Sequence, residues 1–328
     1  MKRRQFIALL GGAAMVTVSP CIVLGQQTDR TRRIGLLMGF PENDPESQRR
    51  VKAFQQGLQE VGLRDIHIDY RWGTADPDQT AANAKELIDL KPDVIVGATT
   101  PGVVALLRQT RTIPIVFVQV ADPVGQGFIE NLARPGGNIT GFTSFEFSLG
   151  GKWLEILKDV APKVVRIGLI FNPDTVPYAA YVGSIKAAAP SFAMQPVLLP
   201  VRGATEIEGA ISTFAQEPNG ALVVLPDIHI AVHRQLVIGL AAKHRLPAVS
   251  GLPYFAADGG LVSYGPDTVE QLRRAAAYIE RILKGTSPGE LPVQQPTKFE
   301  LVINLKTARA LGLDVPLQLQ QVADEVIE

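Results

Sequence analysis

Hydrophobic and polar positions alternate in blocks along most of this chain. Between Arg33 and about Ser263, short apolar runs are separated by longer stretches whose apolar residues recur every three or four positions. The runs predict strands at Ile34–Met38, Ile66–Tyr70, Val94–Ala98, Ile115–Val120, Val165–Phe171, Pro196–Leu199, Ala221–Leu225 and Pro247–Ser250. The longer stretches predict amphipathic helices. Val51, Phe54, Leu58 and Val61 form one stripe, Trp153, Ile156, Leu157 and Val160 a second, and Leu272, Ala276, Ile279 and Leu283 a third. The third helix is well punctuated, with Asp267 placed to cap its start, Glu270 three residues on and Gly285 just past its end. Strands alternating with helices imply parallel sheets covered on both faces, an α/β fold.

The alternation runs in two rounds, from Ile34 to about Val120 and from Val165 to about Ser250. Between them Ala133–Ser144 is rich in Gly, Asn and Thr, and predicts a turn followed by a short crossing strand, Asn138–Thr143. A second stretch without helix cover, Gly251–Gly265, follows the second round. Pro288–Pro296 holds three prolines, and Phe299–Ile303 reads as one more strand. The expected architecture is therefore two doubly wound parallel-sheet lobes joined by a multi-strand hinge. The first lobe is expected over 30–140 plus 264–290 and the second over 144–252 plus 297–328, with crossings near 138–144, 251–264 and 288–298.

The first 25 residues change the picture of where the protein works. Lys2, Arg3 and Arg4 precede an uncharged run to Gly25, the pattern of an export signal, with cleavage expected before Gln26. Arg3-Arg4-Gln5-Phe6-Ile7 resembles the twin-arginine type, and the Sec route is the alternative. Removing three basic residues from 32 leaves 29 against 32 acidic ones, a formal charge of −3. Nothing in that balance attracts a polyanion, so no nucleic-acid partner is expected. The single cysteine, Cys21, lies inside the signal, so the exported chain must hold together by packing without disulfides.

Several segments are similar to a known family. They are Ala121-Asp122-Pro123-Val124-Gly125, the stretch Leu132-Ala133-Arg134-Pro135-Gly136-Gly137-Asn138-Ile139-Thr140-Gly141, Asn172-Pro173, and the long run from Gln295 to Ala308. With the export signal, they resemble periplasmic substrate-binding proteins of ABC transporters, of the tryptophan- and tyrosine-transport group. The resemblance implies the type I periplasmic binding protein fold, in which two α/β lobes on a three-strand hinge close over a small solute. It also implies a periplasmic location and a membrane permease as partner. We expect a monomer without cofactor or metal.

In open parallel sheets ligands sit outside the carboxyl ends of the strands. Strand Val94–Ala98 delivers Thr99, Thr100, Pro101 and Gly102 there. The hydroxyls of Thr99 and Thr100, with the backbone donors of Gly102 and Val103 at a helix start, make a candidate carboxylate receptor. Helix capping is the competing role of Thr99. Phe40 ends the first strand and offers an apolar wall. Asp122 and Asp227 are the candidates for a ligand ammonium group, each with helix capping as its alternative. Asn172, Tyr178 and Tyr254 complete the candidate ligand-binding set. The expected ligand is a small carboxylate, an amino acid or a related compound.

Catalytic signatures are missing. His229 and His233 are four apart, but Ile230 stands where a zinc hydrolase carries Glu. There is no Gly-x-Ser-x-Gly elbow and no phosphate loop. The expected activity is capture by closure rather than turnover. A ligand-sensing module for a membrane signalling receptor is the alternative, and an exported doubly wound enzyme a further one.

Overall fold

The computed structural model describes residues 31–73, 76–144, 146–175 and 178–328. The export signal expected over residues 1–25 lies outside them. Arg32–Glu328 forms one compact unit built on two sheets.

The first sheet comprises β1 (Arg32–Leu37), β2 (Ile66–Arg71), β3 (Val94–Ala98), β4 (Ile115–Val120) and β5 (Ile139–Thr143). All its pairs are parallel, in the order β2-β1-β3-β4-β5. The second holds β6 (Arg166–Phe171), β7 (Gln195–Pro200), β8 (Gly220–Val224), β9 (Ala248–Ser250), β10 (Val262–Pro266), β11 (Phe299–Asn304) and β12 (Glu325–Ile327). Its order is β12-β11-β10-β9-β8-β6-β7, and only the β10–β11 pair is antiparallel. The strands of each round thus follow the same order: second, first, third, fourth, fifth. In both sheets the chain reverses direction beside the first strand of the round, and a switch point of this kind opens a crevice at the strand ends.

Helices α1 (Pro45–Glu60), α2 (Pro77–Asp89) and α3 (Thr100–Gln109) serve the first sheet. The second is served by α4 (Leu149–Val160), α5 (Ala179–Ala188), α6 (Ala204–Phe214), α7 (Ile228–Val232), α8 (Arg234–Lys243) and α9 (Tyr254–Ala257). Then α10 (Thr268–Leu283) returns to the first lobe, and α11 (Leu305–Leu311) and α12 (Leu317–Gln321) lie in the second. Each sheet is covered on both faces. Ile34, Phe54, Val96, Leu272 and Ile279 fill one face of the first sheet, and Leu37, Leu87, Ile95 and Phe117 fill the other. Trp153, Leu169, Tyr181 and Val223 fill one face of the second, and Ile170, Ile207, Leu222 and Val237 the other. This double cover explains why β3 and β8 are buried at every position, as their apolar runs require, and why β5 is too although it carries Thr140 and Thr143.

Local sequence sets the helix starts. Asp44 accepts the Glu46 N–H at 2.9 Å ahead of Pro45, and Asp267 accepts from Val269 and Glu270 at 3.1 and 2.9 Å. Gly285, with φ +102°, takes the left-handed position past α10.

Two strands escaped the sequence pattern. Val262–Pro266 carries Ser263, Tyr264, Gly265 and Pro266, too few apolar residues to stand out, and becomes β10 because β9 and β11 flank it. Glu325–Ile327 is a three-residue edge strand beside β11. The strand expected to cross between lobes, Asn138–Thr143, instead pairs with β4 as the last full strand of the first sheet, and the chain crosses after it. It crosses again between β10 and α10, and a third time between Gln294, which bonds to the β5 edge, and β11.

Candidate functional site

The carboxyl ends of the two sheets face each other across a cavity of about 50 Å³. From the first lobe come Phe40 after β1, Arg50 on α1, Thr99, Thr100 and Pro101 after β3, Gln119 on β4, and Thr268 at the start of α10. From the second come Pro226, Asp227, Ile228 and Ala231 after β8, Gly251, Leu252 and Tyr254 after β9, and Pro266. Five residues picked from the sequence meet here: Phe40, Thr99, Thr100, Asp227 and Tyr254.

The other four lie off this wall. Gly102 sits within the first turn of α3 and does not line the cavity. The Asp122 carboxylate accepts the Gly125 N–H at 2.9 Å and closes its own turn. Asn172, 5% exposed, accepts the Asp174 N–H at 2.9 Å. Tyr178 stacks on Phe171 with ring centres 4.1 Å apart. For the last three, a local turn or the core has claimed the side chain.

The receptor expected at the start of α3 is also partly used up. The Val103 N–H donates to the Thr99 carbonyl at 3.1 Å, and the Thr100 hydroxyl accepts the Ala121 N–H at 3.0 Å. Thr99 does not cap its helix with its side chain. It instead holds φ at +70°, which is uncommon for a β-branched residue. Gln119 (φ +60°) and Asp122 (φ +40°) share the left-handed region at the neighbouring strand end. Backbone strain gathered at the mouths of β3 and β4 marks a place where geometry has been set by something other than local preference.

Asp227 is 3% exposed and caps α7, accepting the Ile230 N–H at 2.9 Å; the Thr175 hydroxyl also donates to it. Burial pushes its carboxyl up to about 7, against the pull of the Ile230 and His229 backbone donors. Burial likewise raises the Tyr254 hydroxyl, with Arg50 opposing.

Sequence reasoning missed Arg50 and Gln119. Arg50 is 2% exposed on α1, and its guanidinium carbon lies 4.6 Å from the Phe40 ring centre and 5.6 Å from that of Tyr254. Its Nη2 donates to the Thr268 hydroxyl at 3.1 Å, but its Nε has no hydrogen-bond partner among the described residues, and neither has Gln119 Nε2. A basic residue between Arg49 and Val51 gave no sign of burial. Only its place on the inward stripe one turn before Phe54, at i−4, pointed to it.

The lobes touch beside the cavity. Phe40 packs with Ala231, Tyr254, Ile228 and Leu252 of the other lobe, and meets Tyr254 edge to face at 5.9 Å. A Cβ on Gly39 would collide with Thr99 and stand 3.2 Å from Ile228. Arg234 on α8 reaches across to Asp44 with two bonds of 2.8 and 3.0 Å, and also pairs with Asp258. Burial works against the Arg234 charge, but the hydrogen bonds to both carboxylates outweigh it and raise its pKa. Away from the cavity mouth, His229 and His233 stand 4.6 Å apart ring to ring, and His233 Nδ1 donates to the His229 carbonyl at 2.8 Å.

Two hinged sheets whose strand ends frame a cavity between the lobes form the type I periplasmic binding protein fold. A Streptococcus pneumonia ABC domain crystallised with L-Trp matches with TM-score 0.83 and 26% identity, over 90% of this chain and 100% of that one. The ligand-free, open form of a Clostridium difficile substrate binding protein with adhesive properties matches with TM-score 0.67 and 25% identity, over 90% and 99%. A tyrosine-binding protein of Clostridioides difficile is 27% identical over 310 residues, 94% of this chain and 89% of that protein. Residues 42–327 match the ABC transporter substrate binding proteins, and with lobes, hinge and cleft in place the chain belongs to that family.

Proposed function

We propose that the protein is the periplasmic solute-capturing component of an ABC import system, and that its cleft takes a small carboxylate-bearing solute, an amino acid or a close relative. The observation that carries this is the composition of the cavity wall, where buried unpaired donors from one lobe face the buried Asp227 carboxylate of the other. A zwitterion spanning the gap satisfies both and bridges the lobes. The tyrosine and tryptophan ligands of relatives support the same class. The ligand adds its contacts only when the lobes meet, so it shifts the population toward the closed form, which is the form offered to the permease. The crossings after β5, after β10 and before β11 serve as the hinge.

The arrangement seen here is the closed one. At nearly equal identity, the L-Trp-bound relative superposes better than the ligand-free open one. The cavity holds only a few water-sized groups, so an aromatic guest requires Phe40 and Tyr254 to part. A thermal-shift screen of the exported chain over amino acids, aromatic acids and sugars tests the proposal. An amino acid at a hundred times its dissociation constant should add about 2.7 kcal/mol of stability, and X-ray scattering should show compaction. Stabilisation by sugars alone would overturn it.

A further inference from the structure

We propose that Arg50, and not the start of α3, is the anchor for the ligand carboxylate. The assignment rests on the cleft taking an amino acid, as above. A buried guanidinium needs its charge matched and its N–H groups paired. Arg50 is short on both counts. Its nearest carboxylate, Glu46, stands 3.6 Å away and is already shared with Arg49 at 2.9 Å. Thr268 takes one N–H and two aromatic faces take part of the charge, yet Nε remains buried and unpartnered in a side chain that lines the cavity. Gln119, a second lining residue with a buried unpartnered donor, Nε2, comes from the same lobe. The start of α3 has less to give, since the Val103 N–H is engaged, Pro101 has no N–H and Gly102 is off the wall, which leaves only the neutral hydroxyls of Thr99 and Thr100 as donors there.

A carboxylate on Arg50 and Gln119 leaves the ligand ammonium for Asp227 in the opposite lobe. The ligand then lies across the cleft with its opposite charges on opposite lobes, which couples recognition of the amino acid to closure. The side chain of the ligand meets Phe40, Tyr254 and Leu252, whose faces are apolar.

The test compares amino acids with amines that lack only the carboxylate, such as L-tyrosine with tyramine, L-tryptophan with tryptamine and L-leucine with isoamylamine. Titration calorimetry is run on the wild type, Arg50→Gln, Arg50→Lys and Thr99→Ala. A charge-assisted hydrogen bond in a buried site corresponds to about 10- to 100-fold in affinity. Arg50→Gln should weaken the amino acid by that factor and leave its amine within about twofold, and Thr99→Ala should cost the amino acid less. Arg50→Lys keeps a buried charge beside Glu46 and carries the same comparison if the Gln variant does not fold. Equal weakening of amino acid and amine would reduce Arg50 to a wall residue and overturn the assignment. Loss of binding in Thr99→Ala with none in Arg50→Gln would return the anchor to α3. A wild type that binds none of the amino acids overturns the proposed ligand class itself, and the assignment with it.

Discussion

Asp227 shows how far one residue type can be read and where reading stops. An Asp after an apolar strand and before a helical pattern is a cap candidate from sequence, and it does cap α7. Its near-complete burial, and the carboxyl pushed up to about 7, come only from the tertiary packing around it. The consequence for stability has a definite sign. The native carboxyl keeps a proton that the unfolded chain releases near pH 4, so in the unliganded protein this group lowers stability as pH rises from about 4 to about 7. Asp227→Asn retains a good capping side chain and removes that loss. Its urea midpoint should exceed that of the wild type at pH 8, and the gap should narrow toward pH 4. Parallel midpoint profiles for the two proteins would refute this. Arg50 is the opposite case: its sequence neighbours, Arg49 and Val51, say nothing of a buried cation, and its surroundings are set by Phe40 at the end of β1 and by Tyr254 and Thr268, both distant along the chain.

At the scale of elements, the pairing of α1 with α10 is the clearest long-range contact. Both helices showed an apolar stripe in the sequence, but nothing there said that the stripes meet across more than 200 residues. They approach closely at Gly57, where an added Cβ would collide with the Arg273 carbonyl oxygen and stand 3.1 Å from the Ala276 Cβ. Gly57→Ala therefore pits helix propensity against overlap. Alanine favours the helix by about 0.5–1 kcal/mol, while overpacking costs about 1–3 kcal/mol. The variant should be net destabilised, seen as a lower urea midpoint at unchanged slope. An unchanged or raised midpoint would mean that the helices part without cost. The β10 strand makes the same point for sheets, since a run with Ser, Gly and Pro becomes a strand when its neighbours supply both edges.

For the molecule as a whole, the interlobe pair Asp44–Arg234 belongs to the closed state, in which α1 and α8 come together. Without the Asp44 charge, the buried Arg234 keeps Asp258 as its one carboxylate partner, and the open form returns its unpaired N–H groups to water. Asp44→Asn keeps the α1 cap but loses the charge. In X-ray scattering the unliganded variant should have a larger radius of gyration than the unliganded wild type, and its ligand affinity should fall because closure must now be driven by the ligand alone. Superimposable profiles would show that the pair does not bias the lobes.

Two rounds of strand and helix and the family-like segments were legible because each is a local or periodic property of the chain. Apolar runs bury on both faces wherever they sit, and turn residues bend the chain wherever they occur. So the sequence alone settled an α/β protein with two doubly wound halves and the strand ends where a ligand would be sought. It also supplied Phe40, Thr99, Thr100, Asp227 and Tyr254 for the cavity wall. The tertiary structure decided which strand ends face one another, that Asp122, Asn172 and Tyr178 are engaged elsewhere, and that Arg50 and Gln119 complete the wall. The reason is physical: burial, unpaired donors and a raised carboxyl belong to a site formed by two lobes in contact, and no window of neighbouring residues contains that contact.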